Sequence, residues 1–290
     1  MTELAAYTSL LLAVVDPDGA AISAMTQGPI DGWTPIDATP AHALWMSTSG
    51  VVHLWKLDER GNRIGDKQHG PFPGWTPVGM TDDHVLWRST DGRASLWVID
   101  AEGNQLSYKE HGPYPGWTPI NYSDGHLLWR HSDGRASLWQ VDAQGNHLGY
   151  KEHGPYPGWI PVHYAEGRVL WRHTNGSASL WVVDASGAHV SYREHGPIPG
   201  CLPVRADATT MVWRGVGGPT QVWTIGDDLA QIRAHEYAGA GALVVQRTQA
   251  AAVSVTADAI KMAKTTVSPT RPTPTIAYIA VAEPIASVWQ

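Results

Sequence analysis

Cysteine and phenylalanine each occur once in the 290-residue chain, as Cys201 and Phe72. A single thiol closes no internal disulfide, so nothing points to a disulfide framework or an oxidising compartment. No apolar run approaches the length needed to cross a bilayer as a helix, and the expectation is no membrane insertion. Charge is sparse and slightly acidic, with 16% charged residues, a net charge of −7 and a pI near 6.0. Nucleic acid is held largely by neutralising phosphates, so this balance argues for no nucleic-acid partner. The apolar stretch 5–15 lacks the basic start of a secretion signal, follows Glu3 and reads as a strand. The expected location is the cytoplasm, or the exterior after release without a cleaved signal peptide.

Signatures of catalysis are missing as well. There is no Gly-x-Ser-x-Gly elbow, P-loop or dinucleotide fingerprint. Asp16-Pro17-Asp18-Gly19 hints at calcium but lacks the remaining ligands of a calcium loop. Histidines recur too far apart for a zinc set. The expectation is no enzyme and no metal site.

What the chain does have is a repeat. Residues 112–153 read GPYPGWTPINYSDGHLLWRHSDGRASLWQVDAQGNHLGYKEH, and residues 70–111 and 154–195 follow almost letter for letter. Residues 28–69 follow more loosely, and residues 196–237 keep the GPIPG opening with Trp213 and Trp223. A period of 42 residues, with several short strand signals in each copy, marks a β-propeller blade. Residues 238–271 look like a worn, shortened sixth unit without tryptophan, which could equally be a patch for a second copy of the chain in a homo-oligomer. Residues 272–290 and 1–27 supply the two halves of a closing unit. The expected fold is therefore all-β: one propeller domain over 1–290, of about seven four-stranded blades, closed by a blade built from both termini.

Four strands can be placed in a unit, at residues 117–122, 126–132, 135–142 and 147–153. The turn from Asp142 to Gly145 has the aspartate-first, glycine-fourth pattern of a type I turn. Asp133-Gly134 reads as a two-residue hairpin turn. Trp129 would then face Leu138 and Leu128 would face Trp139, which puts the two tryptophans on opposite faces of the sheet. With 15 tryptophans and one phenylalanine, tryptophan is the filler expected between blades.

An even up-down strand order brings the connector between blades and the Asp-Gly tip to the same end. That end is expected to gather His111, Tyr114 and Trp117 with Arg130, His131, Asp133 and Arg135. The corresponding sets are His69, Phe72, Trp75, Arg88, Asp91 and Arg93, and His153, Tyr156, Trp159, Arg172, His173 and Asn175. Aromatic faces beside carboxylate, amide and guanidinium groups suit a sugar, whose C–H face lies on a ring while its hydroxyls need donors and acceptors. Solvated turn residues, kept alike by recent duplication, would look the same.

With these tryptophan-rich blades and repeated loop-end motifs, the chain resembles the bacterial and invertebrate β-propeller lectins of the tachylectin and Photorhabdus type. The resemblance covers the architecture and matches no diagnostic binding motif residue by residue. It implies several equivalent sites for glycans or glycoconjugates and no cofactor. Met46, Ser49 and Val51 in the first full unit, and Cys201 and Gly217 in the fifth, depart from the pattern and imply weak sites there. The alternative is a protein-interaction scaffold or structural module that uses the same loop end.

Overall fold

Each 42-residue copy meets the same turn chemistry at the same places, and each folds into the same antiparallel sheet. A computed structural model describes residues 9–15, 21–215, 219–237, 242–249 and 275–280. After β1 (Leu10–Val15) and β2 (Ala21–Gln27), blade one is β3 (Trp33–Ala38), β4 (His42–Ser47), β5 (Val52–Leu57) and β6 (Arg63–His69). Blade two is β7 (Trp75–Met80), β8 (His84–Ser89), β9 (Ala94–Ile99) and β10 (Gln105–His111). Blade three is β11 (Trp117–Ser123), β12 (His126–His131), β13 (Ala136–Val141) and β14 (His147–His153). Blade four is β15 (Trp159–Ala165), β16 (Arg168–His173), β17 (Ala178–Val183) and β18 (His189–His195). Blade five is β19 (Cys201–Ala206), β20 (Thr210–Gly215), β21 (Thr220–Ile225) and β22 (Gln231–Tyr237). Strands of a blade pair in chain order, so the first is innermost and the fourth is the outer edge.

The architecture is a β-propeller with five four-stranded blades among the described residues, which corrects the expectation of seven. A further sheet has the order β2-β1-β23-β24, with β23 spanning Ala242–Gln249 and β24 spanning Thr275–Ala280. β1 runs parallel to β23, so strands from both ends of the chain share one sheet. Residues 238–271 lack the tryptophans and the Asp-Gly tip that pin a blade. Of this stretch only β23 lies within the described residues, and it pairs with β1 and β24. Leu10 and Leu12 pack on Trp45 and Trp55 of blade one and in the same cluster as Val204, Val212 and Val222 of blade five. The composite sheet thus bridges the first and last blades. The rest of the expected closing unit, at residues 1–8, 16–20, 272–274 and 281–290, and Gly217 lie outside the described residues. Among the described residues no helix is long and apolar enough to cross a membrane.

The hairpin tip differs from expectation by one residue, and the difference moves the core. His131 N donates to Arg135 O at 2.8 Å, Gly134 N donates to His131 O at 3.0 Å, and Gly134 sits at φ 95°. The loop is therefore three residues closed by a left-handed glycine. Leu128 pairs with Leu138, Trp129 with Ser137, and Leu127 with Trp139. A one-residue slip exchanges faces, so Trp129 and Trp139 share one face, their rings 5.1 Å apart. The other face carries Leu128 and Leu138.

Blades consequently stack leucine face on tryptophan face. Leu44 and Leu54 of blade one pack with Trp87 and Trp97 of blade two. Leu86 and Leu96 pack with Trp129, and Leu170 and Leu180 with Trp213 and Trp223. Polar staples join the same neighbours. His69, His111 and His153 each place Nε2 2.9 Å from a glycine carbonyl of the next blade, at Gly103, Gly145 and Gly187.

Candidate functional site

The tips of blades two and three draw part of each expected set together. Trp117 pairs with His131 across the first two strands, and the two rings lie 4.9 Å apart. Gly116 makes this contact possible, because a Cβ there would lie 2.4 Å from His131 Nε2. His131 Nδ1 lies 2.8 Å from Asp133 Oδ1. Arg135 Nε donates to Asp133 Oδ2 at 2.9 Å and Nη1 donates to Glu152 Oε2 at 3.0 Å. Its guanidinium lies 5.3 Å from the Trp117 ring centroid, a cation–π distance. The backbone N–H of Arg135, helped by His131 and the Arg135 side chain, pulls the Asp133 carboxyl down to about 2. Asp133 holds Arg135 charged in return.

Blade two repeats the arrangement. Arg93 stacks 5.1 Å from Trp75, with Nε 2.9 Å from Asp91 Oδ2 and Nη1 2.7 Å from Glu110 Oε2. Ser89 takes the place of His131 and donates to Asp91. Glu110 and Glu152 were not among the expected site residues. Their signal was the Lys-Glu-His ending of the second and third full units, legible as a partner for arginine only once the outer strand is in register.

The other expected residues fall elsewhere. His69, His111 and His153 are the inter-blade staples, and burial pushes His111 and His153 below the ordinary imidazole range. Tyr114 lies edge-on over Trp129 and Trp139, and Tyr156 over Trp171 and Trp181, as Phe72 does over Trp87 and Trp97. These connector rings cap the tryptophan pairs. Arg88, Arg130 and Arg172 follow the tryptophans of their strands by one residue, so they lie on the leucine face, away from the tip cluster. Burial lowers the Arg88 pKa.

Blades one, four and five vary the tip. In blade one Ser47 and Ser49 bond each other, and His53 packs edge-on against Trp33 at 4.5 Å. In blade four Trp159 keeps its histidine, His173, at 4.8 Å, but Asn175 and Ser177 replace the aspartate and arginine. Blade five has Cys201 where the first tryptophan belongs.

Two further features escaped the sequence reading. At the innermost strands, positions 37, 79, 121, 163 and 205 are equivalent yet hold Asp, Gly, Asn, His and Arg. Asp37 Oδ2 accepts from Met80 N at 2.8 Å, Asn121 Oδ1 from Tyr164 N at 3.0 Å, and His163 Nδ1 donates to Ala206 O at 3.0 Å. Arg205 Nη1 reaches Asp37 Oδ1 at 3.5 Å, and burial raises the Asp37 carboxyl to about 6.

At the outer strands a bulge in each blade turns an aliphatic side chain into solvent: Ile64, Leu106, Leu148, Val190 and Ile232. Tyr108, Tyr150 and Tyr192 follow two residues on. Leu106 is 63% exposed and Tyr108 59%.

No protein-family model matches the chain, and no curated protein sequence matches it. Among solved structures it is similar to human WBSCR16, at 14% identity over 79% of this chain and 75% of that one, with a TM-score of 0.48. It is also similar to Prp20p from Saccharomyces cerevisiae, at 12% identity over 74% and 67% of the two chains and a TM-score of 0.48. The β-propeller domain of Cps50 (Swd1) from Myceliophteria thermophila follows at 10% identity over 73% and 76%, TM-score 0.45. The likeness extends to the propeller fold alone. Of the resemblance drawn from the sequence, the generic β-propeller fold is what the structure bears out.

Proposed function

We propose that the chain is a protein-interaction propeller, a binding module without catalysis, that docks partners on the side chains of its outer strands. The observation that carries this reading is the exposed pair at Leu106 and Tyr108, repeated at Leu148 and Tyr150 and at Val190 and Tyr192. Exposed aliphatic and tyrosine groups are costly to leave in water, and tyrosine is enriched where proteins meet. The bulges and neighbouring lysines discourage bare strand-to-strand pairing, so side chains are what the edge presents.

The glycan reading has less support. A sugar needs an open aromatic face and free donors and acceptors, whereas Arg93 and Arg135 cover Trp75 and Trp117 and occupy the adjacent carboxylates. The discriminating experiment sets a glycan array beside affinity capture from cells that make the protein. The expected result is a protein retained in reproducible ratio and no glycan above background. Saturable glycan binding without any retained protein overturns the proposal.

A further inference from the structure

The arginines of blades two and three are part of the protein, but they also display what their surroundings bind. Each guanidinium lies over a tryptophan, 5.1 Å away for Arg93 and 5.3 Å for Arg135, and pairs with a glutamate of the outer strand. Blade four keeps those surroundings and lacks the arginine. The Trp159 and His173 rings are 4.8 Å apart at 59°, against 4.9 Å and 56° for Trp117 and His131. Asn175 Oδ1 accepts from Ser177 N at 2.9 Å, as Asp133 Oδ1 accepts from Arg135 N at 3.0 Å. Glu194 sits opposite Ser179 in the register that sets Glu152 opposite Ser137. Ser177 stands where Arg135 stands, so the tip carries no arginine to lay over the indole.

Among the described residues no guanidinium stacks on Trp159 and no cation pairs with Glu194. The neighbouring Arg193 is turned to Asp228, 3.3 Å from its Oδ2. Blades one and five do not offer the same vacancy. Blade one has Gln68 in the glutamate position, and blade five has Cys201 in place of tryptophan.

We propose that Trp159, Glu194 and the Asn175–Ser177 tip form a receptor for the guanidinium group of an arginine on a partner protein. The incoming group takes the place that Arg135 fills in blade three, stacked on the indole and paired through its edge with Glu194. A planar guanidinium stacks flat on the ring while its edge N–H groups meet the carboxylate, a geometry that a compact, strongly hydrated ammonium matches less well. The net charge of −7 favours the approach of a cationic segment. The proposal rests on the protein-interaction reading and names one chemical feature of the partner.

The test follows the Trp159 indole N–H signal by NMR in the full chain, identified by its loss in Trp159→Phe, as N-acetyl-arginine amide is added. N-acetyl-citrulline amide, the neutral near-isostere, and N-acetylglucosamine are added in parallel. The arginine derivative should shift Trp159 saturably and bind at least about fivefold more tightly than the citrulline derivative. Ser177→Arg fills the place from within and should abolish the response, and Glu194→Gln should weaken it. Arg135→Ser should create a second responding tryptophan, Trp117. No shift at Trp159, equal shifts with citrulline, or an unchanged response in Ser177→Arg overturns the proposal. A response to the sugar and not to arginine overturns it in favour of a glycan. If arginine fails while a protein is still retained from cells through the outer strands, the receptor falls and the protein-interaction reading stands.

Discussion

Replacing Trp129 separates two properties of the blade core, volume and an unpaired donor. The side chain is 1% exposed, lies against Leu86 and Leu96 of the preceding blade, and touches the rings of Trp139 and Tyr114 at 5.1 and 5.6 Å. Trp129→Ala empties that space and should cost about 3–5 kcal/mol, the usual range for a large buried aromatic. Among the described residues its Nε1 has no hydrogen-bond partner, in common with those of Trp45, Trp87, Trp171 and Trp213. A buried donor left unpaired costs about 1–3 kcal/mol. Trp129→Phe removes that donor and keeps a ring, so the two effects oppose each other and the net loss should stay under about 2 kcal/mol. Urea unfolding followed by far-ultraviolet circular dichroism measures both, with equal slopes showing that the unfolded states are comparable. A phenylalanine variant as damaged as the alanine variant would refute the unpaired-donor argument. An alanine variant that loses less than about 1 kcal/mol would remove Trp129 from the core.

Two other perturbations probe pH and closure. Burial lowers the pKa of His42, His111, His153, His163 and His195, so their contribution is present above about 6.5 and is lost as pH falls through the lower folded values. Asp37 works the other way: its carboxyl is raised from 3.8 to about 6, so the stability it contributes is present below 3.8 and lost as pH rises towards 6. At 1.4 kcal/mol per pH unit that loss is at most about 3 kcal/mol, reduced by the 14% of the side chain that solvent reaches. Asn121 already makes the equivalent backbone bond, so Asp37→Asn should fold, and its melting temperature should gain on the native protein between pH 4 and 6. A constant difference between the two proteins over that window would contradict the buried carboxyl. Deleting residues 275–290 removes β24 and bares the edge of β23. Aggregation or a lower melting temperature should appear by light scattering and calorimetry, and an unchanged monomer would contradict a structural role for the composite sheet.

Much of the architecture could be read from the repeat, because turn residues are local. Gly145 N bonds Asp142 O at 2.8 Å, as the Asp-x-x-Gly pattern requires. The tip was harder to read. Asp-Gly suits both a two-residue and a three-residue loop, and only the pairing of Leu128 with Leu138 decides between them. That single residue determined which faces the tryptophans share, and with it the separation of Arg130 from the Trp117 cluster. Blade count failed for a related reason: β1 and β23 pair in parallel across nearly the whole chain, and no local signal marks such a partnership. The staples from His69, His111 and His153 join adjacent units, a partnership that a motif read within one unit does not reveal.

The outer strands are the central claim, and a photo-crosslinking amino acid at position 150 tests them most directly, with the same probe at position 133 for comparison. In cells that make the protein, position 150 should yield a discrete protein adduct that disappears when Leu148 and Tyr192 are changed to lysine. No adduct from position 150, together with a clear one from position 133, would contradict the account and return the binding surface to the hairpin tips.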